Sequence, residues 1–184
     1  MKNLILALSF IVAGSSVALA QAAPAASRLG DLQVGANFSY GDPDYGQDGT
    51  HIKGYGFYSD FDFLRHIGAE VDFHQLSALN GSLHERSYEI GGRYFWRYGR
   101  FKPYGKALYG RGVLNFPVGS ANLAYNMLDF GAGVDIAVQR HINVRAEYEY
   151  QKWFSGPGLP KGLSPTMITV GAAYHFPPGK ARRR

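Results

Sequence analysis

Residues 142–154 read INVRAEYEYQKWF. Ile142, Val144, Ala146, Tyr148 and Tyr150 fall on one parity, and Asn143, Arg145, Glu147, Glu149 and Gln151 on the other. A strand turns successive side chains to opposite faces, so this segment has one apolar and one charged face. The alternation fixes the strand but leaves open which face meets water. A soluble barrel turns its apolar face inward, and a membrane barrel turns it outward to hydrocarbon.

The same period recurs along the chain. Leu32 to Tyr40 sets Leu32, Val34, Ala36, Phe38 and Tyr40 against Gln33, Gly35, Asn37 and Ser39. Ile52 to Phe61 is less regular, with Tyr55, Phe57 and Phe61 opposing Gly54, Gly56, Tyr58 and Asp60. Ile67, Ala69, Val71 and Phe73 oppose Gly68, Glu70, Asp72 and His74, and Tyr88, Ile90, Gly92 and Tyr94 oppose Glu89, Gly91 and Arg93. The fifth segment, Pro103 to Gly112, places Lys106 and Arg111 on opposite parities, so one of them belongs at a rim or a bulge intervenes. Leu128, Phe130, Ala132, Val134 and Ile136 oppose Asp129, Gly131, Gly133 and Asp135. After the opening stretch comes the eighth, with Ile168, Val170, Ala172, Tyr174 and Phe176 against Met167, Thr169, Gly171, Ala173 and His175. No helical period stands out, and an all-β fold is expected.

Connections alternate in length. Residues 41–50, 75–86, 113–123 and 153–165 are long and rich in Gly, Pro, Asn, Asp or Ser, whereas 62–66, 96–100 and 139–141 are short. An antiparallel meander gathers the long links at one end and the short ones at the other. This is the pattern of external loops and periplasmic turns.

Composition narrows the class. The chain has 184 residues with 46% hydrophobic, 18% charged, 24 Gly, 13 Tyr and 12 Phe, a mixture suited to one domain of many short strands. Residues 1–20 read as a secretory signal peptide: a short basic start, an apolar run from Leu4 to Gly14 and the small-residue site Ala18-Leu19-Ala20. Residues 21–28 form a flexible lead-in, 29–176 the β-domain and 177–184 a basic periplasmic tail. With no cysteine, disulfides, thiolate chemistry and cysteine metal sites are excluded.

The distribution of charge favours lipid outside. The central apolar-parity positions carry no Asp, Glu, Lys or Arg, and the exceptions Lys53 and Lys152 lie at strand ends near the long connections. An Arg or Lys at the lipid midplane costs about 2–4 kcal/mol and less near the interfaces. Aromatics gather at both ends: Tyr40, Phe73, Tyr88, Tyr150 and Trp153 toward the loops, and Phe61, Phe63, Trp96, Tyr98 and Phe176 toward the turns. Rings at two levels are expected where a sheet crosses two membrane–water boundaries. The competing reading is a soluble, lipocalin-like periplasmic carrier of an apolar ligand, which would need many charges on the other parity. That parity is instead rich in glycine, which suits a crowded small-barrel interior.

Together these features give an eight-stranded antiparallel up-and-down transmembrane β-barrel. The chain resembles the small outer-membrane barrel family that includes the outer membrane protein A barrel, outer membrane protein X and the opacity-type adhesins. The most specific likeness is the last strand, MITVGAAYHF, similar to the family's C-terminal assembly signal with its terminal aromatics, here Tyr174 and Phe176. KPYGKALYGRG at 102–112 is similar to the family's fifth strand. In the family the signal usually ends the chain or the domain, whereas here PPGKARRR follows. The resemblance implies an outer-membrane location, contact with outer-membrane lipids and lipopolysaccharide, and recognition by the barrel-assembly machinery. It also implies a structural or adhesin-like surface role, with external ligands met by the long loops, or a narrow pore. No cofactor, no metal and no nucleic-acid partner are expected.

The parity also assigns a lumen. Glu70, Asp72, Glu89, Asp129, Asp135, Glu147 and Glu149 point inward with Arg93, Lys106 and Arg145, leaving an acidic interior in a chain of net charge +5. Buried charges must pair, so a network joining the three cations to Glu70, Glu89 and Glu147 is expected. An eight-stranded interior is just wide enough for side chains to fill it, which favours a packed plug over a cation-preferring gate. A few relatives act on lipid A with rim His and Ser. The nearest candidates here, His74 with Ser77 and His84 with Ser87, form no nucleophile–base–orienter set, and no enzyme activity is expected. Arg97, Arg100, Arg140 and the tail place basic charge at the turn end, suited to solvent or anionic headgroups.

Overall fold

The alternating segments form eight strands: β1 (Asp31–Asp42), β2 (Ile52–Asp62), β3 (Ile67–Ala78), β4 (His84–Phe95), β5 (Phe101–Asn115), β6 (Asn122–Gln139), β7 (Ile142–Trp153) and β8 (Thr166–Phe176). Each pairs antiparallel with its chain neighbour, and β8 pairs with β1 to close the barrel. The computed structural model describes residues 30–44, 51–78, 83–115, 122–156 and 161–176, and no helix occurs among them. The signal peptide, lead-in and basic tail read from the sequence lie outside the described residues.

Closure fixes the tilt. Following the registers from Asp31 leads through Asp62, Gly68, Arg93, Lys106, Gly131, Glu149 and Met167 to Gly41, a stagger of ten residues along β1. A stagger of this kind in a closed barrel requires strands inclined by roughly 35–45° to the axis. At the turn end the β4–β5 link, residues 96–100, closes in a hairpin at Gly99 and Arg100, with Tyr98 and Phe101 exchanging backbone hydrogen bonds of 2.8 and 3.0 Å. Gly99 has φ +58° at the first central position, where a two-residue hairpin of the II′ type calls for glycine.

The two faces are now assigned. Val34, Phe38, Phe57, Val71, Ile90, Tyr109, Phe130, Tyr148, Ile168 and Val170 are all exposed on the outside, while Glu70, Arg93, Asp129, Arg145 and Glu149 are buried within. A water-facing barrel would hide those apolar side chains, since so continuous an apolar belt is unstable in water. The soluble carrier is therefore not the better description. Near mid-height the outward residues are small or β-branched, among them Ala36, Ala107, Ala132, Ala146 and Val170, and aromatics crowd toward both rims.

Three features differ from the sequence expectation. Strands run further toward the loop end, so β3 and β4 are linked by only 79–83 and β5 and β6 by 116–121. The polarity of the faces inverts there. Leu76, Ala78, Leu83 and Leu114 point inward and are buried, while Lys53, Ser77, His84 and Arg111 face outward. A strand whose apolar parity switches looks, in sequence, like the start of a loop. Trp153 belongs to this inverted zone: it is fully buried inside rather than part of an outer girdle. In β5, Lys106 faces in and Arg111 faces out at the rim with the strand unbroken, and the bulge lies in β6 between Ala137 and Gln139.

Candidate functional site

The lumen is built in layers. At the loop end Ile52, Leu76, Leu114, Met127, Trp153 and Met167 belong to one buried apolar cluster. Gly112 makes room for it, because a Cβ there would meet the Trp153 indole ring. The indole Nε1–H donates to Gln151 Oε1 at 2.9 Å, and Gln151 Nε2 donates to Glu89 Oε1 at 3.3 Å, joining the apolar plug to the polar layer beneath.

The middle layer is ionic. Lys106 Nζ lies 2.6 Å from Asp72, 2.7 Å from Glu149, 2.9 Å from Glu147 and 3.2 Å from Glu70. Arg145 pairs through Nε with Asp135 at 2.8 Å, through Nη1 with Glu70 at 3.1 Å and through Nη2 with Asp60. Arg93 pairs with Glu70 at 3.1 Å, with Asp135 at 2.8 Å and with Asp60. Glu70 thus touches all three cations. Tyr58 and Tyr104 lie against the guanidiniums, with Arg145 Cζ 3.9 Å from the Tyr58 ring centre and Arg93 Cζ 4.1 Å from that of Tyr104. These planar contacts use arginine's weak hydration and flat face.

All ten residues assigned to the lumen from sequence are buried inside. Their pairing differs from the expectation. Glu89 stands outside the ion pairs of Arg93, Lys106 and Arg145, and Asp129 reaches Lys106 only at 3.7 Å. Asp60 takes the central place expected of Glu89. Its parity matches the lumen, but its segment alternates irregularly, with Tyr58 on the same inward face. Asp62 and Lys102, paired at 3.1 Å, extend the network to the turn end, where Arg97 joins Asp62 at 3.2 Å. Below them opens a vestibule of about 240 Å³ lined partly by Arg97, Lys102, Asn143 and His175. Among the described residues the buried lumen holds ten carboxylates against the four cations Arg93, Lys102, Lys106 and Arg145. Each cation is therefore shared by two or more acids.

The histidine and serine candidates part company. His74 faces in, buried, with Nδ1 3.5 Å from Ser39 Oγ, whereas Ser77 faces out and bonds His84 Nδ1 at 2.9 Å. Ser87 is buried on the opposite face from His84. His66 and His141 bond the carbonyls of Phe95 and His175 at the turn end at 3.0 and 3.1 Å. Among the described residues one cluster offers metal-ligand geometry: Asp72, His74 and Glu149 bring ligand atoms within 4.8 Å of one another. The Lys106 ammonium contacts both carboxylates of that cluster and supplies the positive charge a metal would bring.

At the terminal strand, Tyr174 is exposed on the outer face and its ring lies 4.6 Å from that of Phe176. Tyr174 also stacks on His141 at 5.5 Å, which ties β8 to the β6–β7 turn.

The profile of the outer membrane protein beta-barrel domain matches residues 7–176. Among solved structures, Neisserial surface protein A aligns with TM-score 0.61 at 15% identity, over 79% of this chain and 96% of that one. The N-terminal β-barrel domain of Pseudomonas aeruginosa OprF aligns with TM-score 0.61 at 14% identity, over 80% and 99%. Yersinia pestis Ail, the attachment invasion locus protein, in complex with the heparin analogue sucrose octasulfate, aligns with TM-score 0.52 at 20% identity, over 80% and 99%. At these identities the likeness speaks to the fold. No curated protein sequence matches this one.

Proposed function

Because the chain belongs to the outer membrane protein beta-barrel domain family, we propose that it is a closed outer-membrane barrel that works through its surface and not through its bore. The observation that carries this reading is the double closure of the lumen. An apolar plug around Trp153 sits on a buried ionic layer in which Glu70 joins Arg93, Lys106 and Arg145. A conducting path needs wetted space along the axis, and an eight-stranded interior filled by side chains leaves none. The barrel then serves as a rigid anchor, and its loop-end connections carry any contact with an external partner.

The signal-like N-terminus supports export with cleavage after Ala20, and the outward Tyr174 and Phe176 support delivery of β8 to the barrel-assembly machinery. One preparation tests these points. The mature chain is expected in the outer-membrane fraction, starting at Gln21, with a compact band that shifts on heating. Phe176→Ala is expected to reduce the share of that band. In planar bilayers the purified barrel is expected to leave the current at baseline. Release by osmotic shock would contradict the location, and steady cation-selective steps would contradict the closed lumen.

A further inference from the structure

On the loop side of Arg93 and Arg145 the lumen buries five acids: Asp72, Glu89, Asp129, Glu147 and Glu149. Among the described residues Lys106 is the only ammonium or guanidinium that pairs with any of them. Its single charge falls short, and Glu89 stands directly opposite Asp72 with like charge. His74 points into this region. It is 1% exposed, and its Nε2 has no hydrogen-bond partner. The other ring nitrogen shows why. Glu149 Oε2 can only accept, so Thr169 Oγ1 donates to it at 2.8 Å. Thr169 then accepts from Ser39 Oγ at 2.9 Å, and Ser39 accepts from His74 Nδ1–H at 3.5 Å. With its proton on Nδ1, the neutral ring presents the Nε2 lone pair to Glu149 Oε1 at 3.7 Å. Asp72 Oδ1 is likewise unpartnered, while Lys106 holds Oδ2 at 2.6 Å. Gly56, opposite His74 on β2, leaves room for the ring, since a Cβ there would come within 3.1 Å of Nδ1. A lone pair and carboxylate oxygens converging in a dry interior repel unless a cation lies between them.

We propose that Asp72, His74 and Glu149 bind a divalent transition-metal ion of the zinc type inside the barrel. This goes beyond the surface role and is independent of it. The ligand atoms lie within 4.8 Å of one another. An ion about 2.0–2.1 Å from both His74 Nε2 and Glu149 Oε1 would span their 3.7 Å gap at an angle of roughly 120–130°, which a four-coordinate site accommodates. A proton bridges that gap poorly, because 3.7 Å is beyond hydrogen-bond reach. Calcium and magnesium favour all-oxygen shells, so the imidazole selects a softer ion. The Thr169–Ser39 chain does what outer hydrogen bonds do for metal-bound imidazoles: it fixes the tautomer and aims the ring. The ion raises the positive charge facing the five acids from one, on Lys106, to three. The site lies between the apolar plug and the arginines, so the ion enters as the barrel folds and is then held. Spacing along the chain does not reveal it, because the ligands come from β3 and β7 and meet across the bore.

The test refolds the untagged mature chain into micelles with zinc chloride, strips free metal with EDTA during gel filtration and counts zinc by elemental mass spectrometry. The folded barrel is expected to retain about one zinc, and the cobalt-loaded barrel to show the visible d–d bands of four-coordinate cobalt. His74→Gln and Asp72→Asn are each expected to lower the retained zinc at least about tenfold and to abolish those bands. Ser39→Ala leaves all three ligands in place and is expected to weaken zinc binding about tenfold when refolding is run in chelator-buffered zinc. His84→Gln, outward on β4, is expected to change nothing. Zinc is also expected to raise the urea midpoint of the wild type and not that of His74→Gln. A folded wild type that retains no zinc would assign the gap to protons and overturn the proposal. Equal retention by His74→Gln, or cobalt bands of a six-coordinate ion in the wild type, would overturn it too. If the ligand variants do not fold, Ser39→Ala and the wild-type cobalt spectrum decide.

Discussion

Replacing Lys106 by methionine is expected to destabilise the barrel by about 3–5 kcal/mol, because removing one partner of a buried ion cluster strands the others. Four carboxylates, Glu70, Asp72, Glu147 and Glu149, lie within 3.2 Å of its ammonium, and the side chain is wholly buried. Methionine keeps the volume and loses the charge, so packing changes do not confuse the result. Urea unfolding of the barrel in phospholipid vesicles is the measurement. Lys106→Arg is expected to lose less, since it retains the charge but must fit a planar head into a site shaped for a compact one. A loss under about 1 kcal/mol for the methionine variant, the range of exposed pairs, would mean that water reaches the middle layer.

The second large effect is on the other face. Val170→Arg is expected to cost about 2–4 kcal/mol, and Thr166→Arg only about 0–1 kcal/mol, because the penalty for a lipid-facing cation falls from midplane to interface. Both residues are on β8 and face outward, so strand and parity are held constant while depth changes; Val170 lies between Phe38 and Ala146, and Thr166 between Asp42 and Tyr150. Lys53 and Arg111, outward at the loop end, lie at the shallow end of that gradient. Equal costs at the two positions would argue that the outer face meets water along its whole length.

Much of this fold was legible because a closed barrel imposes one rule on every strand. Where one solvent lies outside and packed polar side chains lie inside, the two-residue period sorts the residues with no further information. The segment around Val144 and Glu147 obeys the rule without exception, and so do its neighbours in β8. The rule fails where the outer solvent changes. Above the loop-side aromatics the outside is polar and the inside is free to be apolar, so Leu76 and Leu114 turn in and Ser77 and Arg111 turn out. Trp153 was misplaced for that reason, since an aromatic at a strand end fits either a girdle or a plug. The plug shows itself only when Met127 and Met167 from other strands and Leu163 from the β7–β8 connection meet Trp153.

The ion pairs were partly legible. Which residues enter the lumen follows from parity, but which acid meets which cation depends on height along tilted strands. Asp60 on β2 and Arg145 on β7 are 85 residues apart in sequence and meet across the bore. Glu89 has the right parity but sits higher, beside Gln151 and beneath Trp153. Parity supplies one coordinate and the stagger supplies the other, and the stagger became known only from the registers.

The account rests on hydrocarbon bathing the face that carries Val170 while its neighbour Thr169 looks into a filled interior. The chain has no cysteine, so Val170→Cys and Thr169→Cys each introduce a single thiol. In vesicles, a thiol at 170 is expected to take a membrane-soluble maleimide fluorophore whose emission is quenched by brominated lipid chains. A thiol at 169 is expected to stay unreactive until the barrel is unfolded. Rapid reaction at 169 with a water-soluble maleimide, together with an inert or unquenched site at 170, would contradict the account.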